Sequence, residues 1–373
     1  MNRRDMLLTA GAVLAATAAP RLAHAADGET PSIVPSAHDL YERAMVFDAN
    51  AAPRFEETFP WSQETLDVAR TSGVTAVKTS LGGSDSTFDD TVSEIAFVQR
   101  VIEAHPETFM QIRGAADFAL AKQTKRLGIL FSFESVEMLA GNPERIGLFR
   151  NLGVRVMQLS YNKTSPFGSG VLTDPKLGLT DVGRKAVEAM NKEGVAVDIS
   201  HSNRTTSFDV LKASTKPALI THAGCAAIHA HPRNKDDNLM RAVADKGGVM
   251  GIYDLPYLTA SPKQPTLDDY MAHMTHALKV CGEDHVGIGS DSSLAPWDTS
   301  PEAEKRFQES LAYRKKTGVA APEEDRPLYV IGLNTNRRAE VIADALLKRG
   351  YTARVAEKVL GANFIGALTR IWS

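Results

Sequence analysis

The chain has 373 residues, 42 lysines and arginines against 45 acidic residues, 43% hydrophobic residues and two cysteines. Near-neutral charge without a basic run argues against nucleic-acid binding, which needs a clustered positive surface. Composition excludes collagen-like, disordered and disulfide-scaffold classes, while the length suits either two domains or one large α/β barrel.

Residues 1–25 read as an export signal. Arg3 and Arg4 precede an apolar stretch from Met6 to Ala19, and Ala23-His24-Ala25 forms a small-x-small cleavage site. The stretch falls short of the ~20 residues that cross ~30 Å of hydrocarbon, so it reads as a cleaved leader rather than a membrane span. Paired arginines before a modestly hydrophobic core resemble a Tat signal, with a Sec signal as the alternative. Tat export carries folded proteins, which suits a cofactor loaded before transport. No cysteine follows the cleavage site to carry a lipid and no apolar tail ends the chain. The expected location is the periplasm, without a stable membrane anchor.

Eight short β-branched-rich runs follow in order: Met45–Asn50, Val74–Leu81, Leu127–Ser135, Val154–Asn162, Val195–Ser202, Pro217–Gly224, Gly248–Pro256 and His285–Ser293. Amphipathic segments separate them. Thr180–Glu193 repeats Val182, Ala186, Ala189 and Met190 at helical spacing, with Asp181 at its start and Gly194 as its stop. Asp237–Lys246 and Thr352–Leu360 read the same way, the latter ending at Gly361. Strands alternating with helices predict a parallel sheet, and eight of them can close into a (β/α)₈ TIM barrel. An open doubly wound sheet is the alternative. Residues 26–373 then form one barrel domain, with 294–335 as an insertion over the active-site face.

Barrel chemistry sits at the C-terminal ends of strands. The polar residues fall there. His201 and His222 end the fifth and sixth runs, and adjacent strands can bring two imidazoles to one cation. Glu134 ends the third run and can supply an oxygen ligand. Asp291, in Gly287-Ile288-Gly289-Ser290-Asp291, can take a proton from water and pass it to a leaving amine. Arg233 can fork onto a substrate carboxylate, although taken alone it reads as a surface arginine. No Gly-x-Gly-x-x-Gly, P-loop or Gly-x-Ser-x-Gly motif supports nucleotide or serine-hydrolase chemistry. Cys225 and Cys281 fall at opposite ends of the barrel, so no disulfide is expected between them.

These blocks resemble the renal (membrane) dipeptidases, peptidase family M19 of the metallo-dependent hydrolase barrels. The resemblance is carried by Gly178-Leu179-Thr180-Asp181-Val182-Gly183, Val197-Asp198-Ile199-Ser200-His201, Ile220-Thr221-His222 and His231-Pro232-Arg233-Asn234-Lys235-Asp236-Asp237. Gly287–Asp291 and Gly361-Ala362-Asn363-Phe364 extend it. It implies two zinc ions and hydrolysis of dipeptides, including bulky or non-standard ones. On that resemblance Glu134 bridges the metals, His201 and His222 complete the second site, Arg233 binds the substrate carboxylate and Asp291 is the acid-base group.

Two positions depart from the family pattern. An Asp-Gly-His-Asn-Asp motif after the first strand supplies ligands to the first metal, but here the run is Asp48-Ala49-Asn50-Ala51-Ala52. Asn50 and Ala52 are poor ligands, so one zinc bound by Glu134, His201 and His222 is expected, with the first site weak or missing. A family histidine that polarises substrate appears as Tyr161, whose hydroxyl can still donate to an oxyanion. The expected activity is hydrolysis of a dipeptide or related small amide. A barrel repurposed to tailor a special exported peptide and a non-catalytic binding protein are the alternatives. The expected partner is a small peptide substrate, and a homodimer is an open expectation.

Overall fold

Each of the eight apolar runs contains one strand of a single closed sheet. The computed structural model describes residues 35–373, and the signal expected at 1–25 lies outside them. The strands are β1 (Phe47–Asp48), β2 (Ala76–Ser80), β3 (Leu127–Phe133), β4 (Val154–Gln158), β5 (Ala196–Asp198), β6 (Ala218–Ala223), β7 (Met250–Ile252) and β8 (Val286–Ile288). Each pairs in parallel with the next, and β8 returns to β1 through Ile288 and Asp48. The ring is closed, which makes the fold a (β/α)₈ TIM barrel and removes the open sheet.

Short pairings lay below the reach of periodicity. Phe109–Gln111 runs beside Leu127–Ile129, where β3 has not yet met β4, because that pairing begins at Phe131. Ala51–Ala52 pairs with Ser292–Ser293 just beyond the ends of β1 and β8. Segments of two or three residues show no usable alternation.

Helix Asp181–Glu193 starts where Thr180 accepts a hydrogen bond from the Gly183 N–H. Thr180 rather than Asp181 is the capping side chain; Asp181 is solvent-facing and complements the helix only by charge. Gly194 ends the helix in the left-handed region, at φ 63°. The late helix does not stop at Gly361. The chain kinks there and continues as Asn363–Trp372. A Cβ at Gly361 would lie 2.4 Å from the Met45 carbonyl oxygen, so only glycine lets this segment pack on the entry to β1.

Alternation along the strands divides the core in two. Val77, Ile129, Phe131, Val197 and Ile220 face the helices. Phe47, Ala76, Leu130, Val156, Ala196 and Leu219 form a separate cluster with Phe364 and Leu368 of the last helix. This second cluster fills the barrel. Phe364 meets Phe47 edge to face at 6.0 Å. Full burial of such a side chain contributes roughly 1.5–3 kcal/mol. Continuing along the same face from Ala76, Leu130 and Ala196, the inward positions turn polar: Lys78 and Ser80, Ser132 and Glu134, Asp198 and Ser200. An apolar plug thus underlies a polar floor.

Helix Pro301–Thr317, within 294–335, contributes Phe307, Leu311 and Arg314 to the wall of a cavity above that floor. Both cysteines are buried and free. Cys225 bonds to His273, while Cys281 ends helix Leu267–Cys281.

Candidate active site

The cavity holds about 600 Å³ and reaches His201, Arg233 and Asp291 at its base. Glu134 directly follows β3, two residues beyond inward-facing Ser132. His201 follows β5, and His222 lies within β6. Gly289 brings the end of β8 close: a Cβ there would sit 1.8 Å from the Thr221 carbonyl oxygen. Asp291 then adopts φ 57°, a left-handed conformation that aspartate tolerates better than most residues. Its N–H donates to the Asn50 carbonyl oxygen at 2.7 Å.

The hydrogen-bond network orients both imidazoles. Asn162 spends its amide nitrogen on the Val319 carbonyl, leaving Asn162 Oδ1 to accept from His201 Nδ1 at 2.8 Å. The Thr221 hydroxyl donates to the Asp198 carboxylate and therefore accepts from His222 Nδ1 at 2.9 Å. Both Nε2 atoms consequently carry lone pairs, a tautomer assigned from the network. They face each other at 3.0 Å, and Glu134 Oε1 lies 3.8 Å from His222 Nε2. Burial first, then Arg233, pushes both histidines well below their ordinary pKa, so neither meets the other as a cation.

Three electron-pair donors within 4.8 Å of one another fit a cation. Two neutral imidazoles and a carboxylate suit a zinc-like divalent ion, and both histidines have fixed outer hydrogen-bond partners. Sequence reasoning found these three donors but not Asn162 as the partner of His201. Its only signal was a polar residue at a strand end.

The opposite side of the floor has different chemistry. Asn50 Nδ2 donates to Glu134 Oε1 and to Asp291 Oδ1, each at 2.7 Å. An amide N–H group therefore joins the two carboxylates. Ala52 offers only a methyl group. Lys78 is 1% exposed, and its inward direction follows from Ala76 on the same strand face. Nothing in the apolar run Val74–Leu81 singled it out, except that a charge is unusual in a fully buried strand.

Asp291 is pushed up to about 7, chiefly by burial and then by Glu134, with Arg233, Lys78 and Arg314 opposing. It lies 4.0 Å from His222 Nε2. Tyr161 stacks on His201 with ring centroids 4.1 Å apart. Burial first and Glu134 next hold its phenol up to about 12, so it remains a proton donor near neutrality. Arg314 donates to its hydroxyl at 3.4 Å and pairs with Glu324. Arg233 is not a surface residue: it is 2% exposed. One guanidinium nitrogen bonds to the Ser200 carbonyl and another approaches His201 Nε2 at 3.1 Å.

A family model described as membrane dipeptidase, peptidase family M19, matches residues 61–316, beginning beyond β1. "Dipeptidase tcpJ" of Claviceps purpurea (strain 20.1) is 25% identical over 285 residues, which cover 76% of this chain and 60% of that protein. A Pseudomonas aeruginosa amidohydrolase structure superposes with TM-score 0.79 at 28% identity, covering 91% of this chain and 99% of that one. A Rhodobacter sphaeroides metallopeptidase solved with a phosphinate mimic of L-Ala-D-Ala shares the fold, with TM-score 0.71, 19% identity and coverage of 88% and 99%. The match across more than half of the sequence, on a closed barrel with a Glu-His-His donor set at its floor, places the chain in the membrane dipeptidase family, peptidase family M19.

Proposed function

We propose that the chain is an exported metal-dependent hydrolase that cleaves a dipeptide or related small amide. The observation that carries this reading is the meeting of two imidazole lone pairs and Glu134 beside Asp291 at the base of a peptide-sized cavity. The chemistry a bound divalent ion supplies there is polarisation of an amide carbonyl and acidification of water. Asp291 accepts the water proton as oxygen attacks the carbonyl carbon, then delivers it to the departing nitrogen as the C–N bond breaks. The products are a carboxylate and an amine.

Tyr161 supports the same reaction as a neutral donor to the carbonyl oxygen, its ring fixed by stacking on His201. Arg233 supplies positive charge for a substrate carboxylate, and its buried bonds hold it in place. Helix Pro301–Thr317 narrows the entrance and, through Arg314, bonds to the Tyr161 hydroxyl. Zinc suits the donor set. Paired Arg3 and Arg4 ahead of an apolar stretch support Tat export to the periplasm. Among the described residues, no helix is long and apolar enough to cross a membrane.

The test combines metal analysis of the purified protein with turnover on a panel of dipeptides. Stoichiometric zinc together with release of free amino acids is expected. Absence of both metal and turnover sinks the reading.

A further inference from the structure

The wall of the cavity differs in character from its floor. Helix Pro301–Thr317 begins where Ser300 accepts a hydrogen bond from the Ala303 N–H and ends at Gly318 in the left-handed region. Ala303, Phe307 and Leu311 recur along it at a spacing of four and are buried. Arg314 continues the same face, and all four residues line the cavity. Arg314 donates to the Tyr161 hydroxyl at 3.4 Å, and Tyr161 stacks on His201. At ~1.5 Å per residue, Leu311 lies ~4.5 Å and Phe307 ~10 Å along the helix axis from that contact. An apolar stripe therefore starts within one turn of the reaction centre and leads away from it.

Trp297 faces the stripe. Its ring meets Phe307 edge to face at 5.6 Å. Asn334 clamps the Trp297 backbone: Oδ1 accepts from the Trp297 N–H at 2.6 Å, and Nδ2 donates to the Trp297 carbonyl at 3.1 Å. Leu255 and Leu328 line the same cavity. The charges in this wall are paired with one another. Arg314 pairs with Glu324, whose Oε2 also accepts from the Tyr257 hydroxyl and the Ala321 N–H, each at 3.0 Å. Arg306 approaches Asp298 at 3.7 Å. Between these pairs the wall presents hydrocarbon, and such a surface favours a side chain that it can remove from water.

We propose that Leu311, Phe307 and Trp297 form a side-chain subsite, so that the preferred substrate is a dipeptide carrying a large apolar residue such as leucine, methionine or phenylalanine. The inference rests on the hydrolytic reading above and names its substrate class. With the scissile carbonyl at Tyr161, one of the two flanking side chains runs along the helix. Leu311 meets its first atoms, and Phe307 with Trp297 sets the depth that it can fill. Arg54, exposed at the edge of the cavity, marks the competing chemistry, since it would favour an acidic side chain.

Two dipeptide series, X-Gly and Gly-X, test the subsite in protein equilibrated with zinc, with X as glycine, alanine, leucine, phenylalanine, glutamate or lysine. Each CH₂ group removed from water contributes roughly fourfold. In one of the series kcat/KM is expected to rise about tenfold or more from glycine to leucine or phenylalanine. In Phe307→Ala the phenylalanine-to-glycine ratio of kcat/KM should fall about tenfold or more. Trp297→Ala, at a half-buried residue, should lower the same ratio and serves if Phe307→Ala does not fold. A wild-type ratio near one in both series, or a ratio unchanged in the folded variant, overturns the proposal. A preference for glutamate overturns it in favour of Arg54. If no dipeptide turns over, the hydrolytic reading falls by itself. Calorimetric titration of the same dipeptides then decides the subsite: tighter binding of the phenylalanine peptide than of glycylglycine supports it, and equal or weaker binding overturns it.

Discussion

The two sides of the cavity floor solve the problem of buried charge differently. On the β5–β6 side, two neutral imidazoles with fixed outer partners turn their lone pairs toward Glu134. On the β1 side, the Asn50 amide N–H group faces both carboxylates. One side gathers electron pairs that fit a cation, and the other contributes amide hydrogens. Side chains at the ends of different strands can therefore differ in character on one barrel floor. The backbone scaffold stays common to both, because β1 and β2 remain paired within the closed barrel.

The strongest way to break this contrast is to remove the electron-pair side. His201→Ala with His222→Ala should eliminate stoichiometric zinc and lower hydrolysis on the order of 10³-fold, about 4 kcal/mol of barrier. Metal analysis and steady-state kinetics read both effects. The fold should persist, since the plug formed by Phe47, Leu130 and Phe364 lies elsewhere in the barrel.

A smaller change converts the opposite side. Asn50→His with Ala52→Asp adds donor atoms beside Glu134. The zinc ratio, read by metal analysis, should rise from near one toward two in that double variant. A ratio that stays near one would show that Asn50 and Ala52 do not set the metal count.

Glu137 sharpens the contrast at the smallest scale. Glu134 has the Asn50 amide as a partner, whereas among the described residues Glu137 Oε2 is buried without one. Burial pushes Glu137 up to about 7 from its ordinary 4.5, so the folded state favours the protonated form. Its contribution to stability is full below about pH 4.5 and is lost as pH rises through about 7. Glu137→Gln should therefore match wild type near pH 4 and be more stable at pH 8, by on the order of 1 kcal/mol after solvent screening. The Tm of Glu137→Gln should exceed that of wild type by roughly 1–3 °C at pH 8 and equal it near pH 4.

Much of the frame was legible because barrel strands are long apolar runs with polar ends. Glu134, His201, His222 and Asp291 stood out as polar residues where such runs stop, and the closed ring brings them together. Lys78 did not stand out, since its position inside Val74–Leu81 carries no periodic signal and its direction depends on register with β3. Asn50 was legible as a lost ligand but not as a donor. That role depends on the close approach of Asp291 across β8, which Gly289 permits. Arg233 read as a surface residue in isolation because burial is a property of the assembled barrel. The kink at Gly361 likewise depends on contact with Met45 and Phe47, far away in sequence.

The central claim is a floor that takes one ion, held by Glu134, His201 and His222. Its most direct test is the zinc-to-protein ratio of the purified enzyme after equilibration with excess zinc and removal of unbound metal. A ratio near one is expected; a ratio near two would contradict the account.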